Sequence, residues 1–179
     1  MNKKTFLIVI ICFTAFLSYG QLPLPKLTEE KLKIFEPYFG KYKQTMDYGG
    51  KKWSGTMEIK KIIKGWYVDW TILTKSEDNT IDREYHMMVT YDTAMNKYRV
   101  WRFETGANWN DYPITVSTEG TDIIVALQFP QEDSSEIFYN RYSKPSKDEI
   151  KIVTELHSKE GKVLRKIGIT TATRIKQDD

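Results

Sequence analysis

Cysteine is all but absent. The 179 residues contain one, Cys12, inside an apolar stretch near the N-terminus, so disulfides, thiolate metal sites and a cysteine nucleophile are excluded from the rest of the chain. Histidine is nearly as scarce: His86 and His157 are the two copies, and any imidazole chemistry rests on them. Neither G-x-S-x-G nor H-E-x-x-H occurs, which removes the serine nucleophile elbow and the helical zinc-protease site. A strong excess of charge is missing too, with 27 basic against 24 acidic residues.

Part of that small basic excess belongs to the first twenty residues. Lys3 and Lys4 precede the apolar run Phe6 to Leu17, and Ser18-Tyr19-Gly20 reads as a small-x-small cleavage site. The pattern predicts a signal peptide over residues 1–20, cut before Gln21. The run is too short for a spanning helix, which needs about 20 apolar residues. Lipid attachment at Cys12 is disfavoured because Val9-Ile10-Ile11, rather than a small residue, precede it. Export to the periplasm or the medium is therefore expected. Without residues 1–20, which hold two lysines and no acid, the balance falls to 25 basic against 24 acidic residues, a charge that argues against nucleic acid as partner. Residues 21–26 form a short extension, 27–176 one domain and 177–179 a tail.

What the chain does hold is aromatic side chains in quantity, eleven Tyr, eight Phe and five Trp, a composition of strands rather than helices. One short helix is legible: Thr28 as N-cap, Glu29 and Glu30 at the positive end of the dipole, Leu27 stapling onto Leu32, and Pro37 ending it after Phe35 or Glu36. Period-2 alternation then takes over. It predicts strands near Phe39–Tyr48, Lys52–Ile63, Trp66–Thr74, Ile81–Tyr91 and Lys97–Glu104, followed by a loop carrying Trp109 between Asn108 and Asn110. Further strands follow near Tyr112–Ser117, Thr121–Phe129, Glu136–Ser143, Asp148–His157 and Lys162–Ile175, with Gly49-Gly50, Lys64-Gly65, Glu119-Gly120 and Glu160-Gly161 among the turns.

Ten strands joined by short connections read as an all-β, single antiparallel up-and-down barrel with the helix plugging one end, because closure removes the exposed sheet edges. An interior of this strand number holds side chains or one small ligand.

Gly40-Lys41-Tyr42 resembles the G-x-W that opens the first strand in the lipocalin-like, or calycin, superfamily, with Tyr for Trp, and Arg174 resembles its closing arginine. The resemblance implies that Arg174 packs across Tyr42 and closes one barrel end, with Gly40, Tyr42 and Arg174 in structural roles. Lys64-Gly65-Trp66-Tyr67-Val68 and Tyr91-Asp92-Thr93-Ala94-Met95-Asn96-Lys97-Tyr98 are similar to a family of uncharacterised bacterial barrel domains. Such a fold hosts carriers, enzymes and haem proteins alike, so function must come from a site.

The inward candidates from alternation are Tyr42, Trp53, Met57, Trp66, Trp70, Tyr85, Met87, Trp101, Phe103 and Tyr139, which would line an apolar cavity or fill a core. His86 sits near Glu84 and His157 near Glu155, each able to ligate haem iron or to lie on the surface. Glu58, Asp69, Glu84 and Glu155 alternate with apolar positions and are expected to face solvent, and Glu132 and Asp133 fall in a turn. Three readings stay open. The first is an exported carrier of a small apolar or amphipathic ligand, without chemistry, for which the residues imply no particular cofactor. The second is a haem or enzymatic barrel using His86 or His157. The third is an envelope interaction module with a solid barrel.

Overall fold

The structure is a computed structural model that describes residues 27–78, 82–105, 107–108, 113–128 and 136–176. The expected signal peptide, the 21–26 extension, the 177–179 tail, Trp109, Asn110, Glu132 and Asp133 lie outside the described residues, as does the side chain of Asn108.

A 3-10 helix, Glu30–Tyr38, comes first. Strands β1 (Gly40–Tyr48), β2 (Lys51–Ile62), β3 (Tyr67–Ser76), β4 (Asp82–Asp92) and β5 (Lys97–Glu104) follow, and after them the two-residue β6 (Ala107–Asn108). The second half supplies β7 (Ile114–Glu119), β8 (Asp122–Gln128), β9 (Ile137–Ser146), β10 (Glu149–His157) and β11 (Val163–Arg174). The sheet order is β6-β5-β4-β3-β2-β1-β11-β10-β9-β8-β7, so every pair of sequential neighbours except β6 and β7 is joined, and β1 meets β11. The up-and-down barrel read from strand count and turn spacing is the fold found, with ten strands of six residues or more plus the short β6 among the described residues. No helix among the described residues is long and apolar enough to cross a membrane.

Local chemistry explains the register. Gly49 and Gly50, at φ 61° and 77°, form the two-residue turn that sets Tyr48 opposite Lys51, a backbone twist that matches the flanking strands and suits glycine. The β1–β11 ladder runs from Tyr42 opposite Arg174 to Tyr48 opposite Gly168. Closure is incomplete between β5 and β7, where no ladder joins the strands among the described residues. Beside that seam Tyr98 and Val100 of β5 and Ile114 of β7 are partly buried and pack against the core.

The helix differs in detail from the expected one. Its three buried residues, Leu32, Phe35 and Tyr38, are spaced by three, the period at which side chains of a 3-10 helix eclipse. A 3-10 turn therefore puts all three into the barrel end. Pro37 lies within the helix rather than ending it: its fixed φ suits a helical turn, and the next turn closes through the Phe39 N–H to Glu36 carbonyl bond at 3.2 Å. Thr28 accepts the Glu30 N–H at 3.3 Å but Glu29 holds the cap position. The backbone of Leu27 pairs with Asp92.

Phe35 meets Trp70 edge-on at 6.3 Å and Tyr98 at 6.0 Å. The Tyr38 hydroxyl lies 3.0 Å from the carbonyls of both Thr121 and Tyr142, tying the plug to the β7–β8 turn and to β9. Burial, and secondarily the Asp122 carboxylate, push the Tyr38 phenol up to about 12. The unfolded phenol ionises near 10, so the folded state holds the proton more tightly. Its contribution is complete below pH ~10 and falls away toward pH ~12, by on the order of 2–3 kcal/mol. Chemical denaturation between pH 9 and 12, flagged by phenolate absorbance, should show stability dropping in that window, and Tyr38→Phe should make the drop smaller by about that amount, leaving the share of the other buried phenols.

Candidate functional site

The barrel has one filled end and one hollow end. Around the plug, Tyr42, Met57, Ile59, Val68, Trp70, Val89, Ile123 and Ile150 are buried in a continuous core. Toward the opposite end this core gives way to a cavity of about 130 Å³, whose wall includes Met46, Trp53, Tyr85, Met87, Phe138 and Tyr142. An apolar cavity of about 150 Å³ takes one benzene, and sites for drug-sized ligands begin near 300 Å³. The hollow is thus ring-sized.

Its wall is not purely apolar. Arg83, Arg102 and Glu104 all reach it, and the side chains are 49, 21 and 11% exposed respectively, which orders them from rim to interior. One Glu104 oxygen is 3.1 Å from Arg102 Nη2 and the other 3.9 Å from Arg83 Nη1. Each guanidinium also faces a ring of the wall, Arg102 over Tyr85 at 4.7 Å and Arg83 over Trp53 at 5.2 Å. Such cation–π contacts hold the two charges in place. The Trp53 indole N–H is buried and has no hydrogen-bond acceptor among the described residues.

Tyr85 and Tyr142 both line the wall, and burial raises both phenols, with the Arg102 charge pulling against it. Tyr48, also on the wall, is raised by burial while Arg83 and Arg102 act in the opposite direction. These phenols are neutral donors at ordinary pH. Between β9 and β10, the Thr154 hydroxyl donates to Asn140 Oδ1 at 2.9 Å.

Of the ten aromatic and methionine candidates, the structure brings Trp53, Tyr85 and Met87 to the cavity wall and puts Tyr42, Met57 and Trp70 in the solid core. Four point elsewhere, which corrects the inward expectation. Trp66 precedes β3: Lys64 at φ 56° bends the preceding turn and Trp66 itself is helical, so strand parity does not reach it, and it is exposed. On β5 the register with β4 sets Tyr98 opposite Tyr91 and Arg102 opposite Met87. Even positions therefore face in, Phe103 is exposed and Trp101 packs against Tyr67 on the outer wall at 6.2 Å. Tyr139 also faces outward, between inward Phe138 and Asn140, donating to Glu119 at 2.7 Å and stacking on His157 at 4.3 Å.

Both histidines lie on the outside of the wall. His86 contacts Glu84 at 3.0 Å and Thr71 at 3.0 Å, and His157 contacts Glu155 at 2.9 Å. Neither reaches the cavity, so the version of the haem reading that places one inside loses its ligand. Among the described residues no three His, Cys, Asp or Glu gather as a metal site. Glu58, Asp69, Glu84 and Glu155 lie on the outer face, where Glu58 pairs with Lys60 at 2.9 Å and Lys41 at 3.6 Å.

At the plugged end, Arg174 lies over the Tyr42 ring at 4.9 Å, donates to the Tyr42 hydroxyl at 2.8 Å and to the Phe39 carbonyl at 2.7 Å, and faces Asp148 at 3.5 Å. Gly40, at φ 143°, is required beneath it: a Cβ there would sit 2.1 Å from Arg174 Nη1.

Sequence reasoning missed Arg83, Arg102 and Glu104 as wall residues. Parity with Tyr85 was available to find Arg83.

No family model matches the chain, and no curated protein matches it in sequence. In architecture it is similar to the S-type phycobiliprotein lyase CPES from Guillardia theta, with a TM-score of 0.55 at 10% identity over 83% of this chain and 94% of that one. A de novo fluorescence-activating barrel matches at 0.43 and 11% identity, over 78% of this chain and 95% of that one. A redesigned barrel, mFAP0, bound to DFHBI, matches at 0.42 and 13%, over 77% and 99%. The lyase comparison shows a shared barrel fold.

Proposed function

We propose that this protein is an exported, non-enzymatic binding protein that takes a small amphipathic molecule into the open end of its barrel. The observation that carries the reading is the asymmetry of the interior. One end is sealed by Leu32, Phe35, Tyr38 and the Arg174–Tyr42 contact, while the other keeps a cavity of about 130 Å³ with aromatic walls and phenol, amide and guanidinium donors. Sites for small molecules have this composition, mostly apolar with a few placed polar groups. Export rests on the signal-peptide pattern of residues 1–20, and the absence of nucleophile or metal motifs supports binding without chemistry.

Native mass spectrometry of the protein purified from its own host tests both halves. The expected spectrum shows a chain beginning at Gln21 and carrying a co-purifying small molecule. Retention of residues 1–20 on the folded protein contradicts export with cleavage. An empty protein that also shows no thermal shift with a panel of ring-sized acids, alcohols and amines contradicts the binding reading.

A further inference from the structure

Among the described residues, the charges on the cavity wall do not balance. Among the described residues that line it, Arg83 and Arg102 are basic and Glu104 is the acidic one, a net charge of +1 inside a barrel whose opposite end is sealed. Glu104 is engaged unequally: one oxygen is within hydrogen-bond reach of Arg102 at 3.1 Å, whereas the other is 3.9 Å from Arg83, beyond a direct bond. Arg83 donates no hydrogen bond among the described residues, and is held over the Trp53 ring at 5.2 Å. A guanidinium held in place with no hydrogen-bond acceptor among the described residues is available to a planar anion.

The rest of the wall sets what accompanies the anion. Trp53, Met87, Phe138 and Ile152 offer apolar surface, and the volume admits about one ring. An amine would add charge to a wall that is already positive, and a neutral alcohol would leave the excess uncompensated. We infer that the cavity is a site for a ring-sized organic monocarboxylate, with its carboxylate between Arg83 and Arg102 and its apolar body against Trp53 and Met87. The inference rests on the small-molecule reading above and adds the ligand's charge and chemical class.

Calorimetric titration of the purified protein with benzoate, benzyl alcohol and benzylamine tests it. Benzoate should bind at least about tenfold more tightly than benzyl alcohol, and benzylamine should not bind. Arg83→Gln, at the half-exposed rim, should weaken benzoate by about tenfold. Glu104→Gln, close to isosteric, removes the competing carboxylate and should tighten benzoate by roughly three- to tenfold. A merely destabilised protein would lose affinity, so this gain separates the site from a folding effect. Equal binding of benzoate and benzyl alcohol overturns the carboxylate site while leaving small-molecule binding intact. Benzoate binding that ignores both substitutions places the ligand elsewhere and overturns it as well. If none of the three probes binds, the carboxylate site and the reading beneath it fall together.

Discussion

Trp70→Ala should lower the unfolding free energy by about 3–5 kcal/mol, the range for emptying a buried tryptophan site. Trp70 is fully buried and joins the two halves of the interior. Its ring is 4.4 Å from Tyr142, a cavity-wall residue, and meets the edge of Phe35, a plug residue, at 6.3 Å. Its loss would leave a void that neither the sheet nor the helix can easily close. For a domain of this size the melting temperature should fall by roughly 6–20 °C. Trp70→Phe should cost much less than volume alone implies, because the buried Trp70 N–H has no acceptor among the described residues and removing it relieves a desolvated donor. Urea denaturation of the two variants checks this. A loss below about 1 kcal/mol for Trp70→Ala would mean that the plug and the cavity floor are not one packed unit.

Arg174→Ala should cost about 2–4 kcal/mol, since it removes two charge-assisted hydrogen bonds and the cover over Tyr42 together. The decisive variant is Arg174→Lys. The guanidinium reaches the Phe39 carbonyl and the Tyr42 hydroxyl through different nitrogens, and a single ammonium cannot reproduce that fork. Lysine should therefore recover less than half of the lost stability, measured by thermal or urea unfolding. Full recovery would reduce the contact to a point charge. Burial raises the Tyr42 phenol against the pull of Arg174, so the hydroxyl stays protonated. It donates to the Tyr38 carbonyl at 2.9 Å while accepting from Arg174. The first strand, the last strand and the end of the helix thus meet at one residue.

The strands were legible because each carries its own alternation and its own turn. Gly49-Gly50 and Glu119-Gly120 set hairpins locally, and the expected β1 to β5 and β7 to β11 differ from those observed by a few residues at their ends. The seam between β5 and β7 has no local signal, since it depends on how the whole meander curls. Side-chain direction was misread where the interior turns polar. On β5, hydrophobic parity favours Trp101 and Phe103, yet Arg102 and Glu104 face the hollow, because that end holds donors and charge rather than a sealed core. On β9, Tyr139 looked more core-like than Asn140, and the order is reversed for the same reason. Trp66 failed for a backbone reason, the left-handed Lys64 just ahead of it. The plug was legible as a helix but not as a 3-10 helix, although the spacing of Leu32, Phe35 and Tyr38 carried that information.

The most direct measurement is a proton–nitrogen NMR titration of the tryptophan indoles with benzoate. Trp53 lines the cavity with a buried indole N–H that has no acceptor among the described residues, whereas Trp66 is exposed and Trp101 packs on the outer wall. A ligand in the open end should shift the Trp53 indole resonance progressively and leave those of Trp66 and Trp101 in place. Shifts confined to Trp66 and Trp101, or no shift at saturating benzoate, would contradict a binding site inside the barrel.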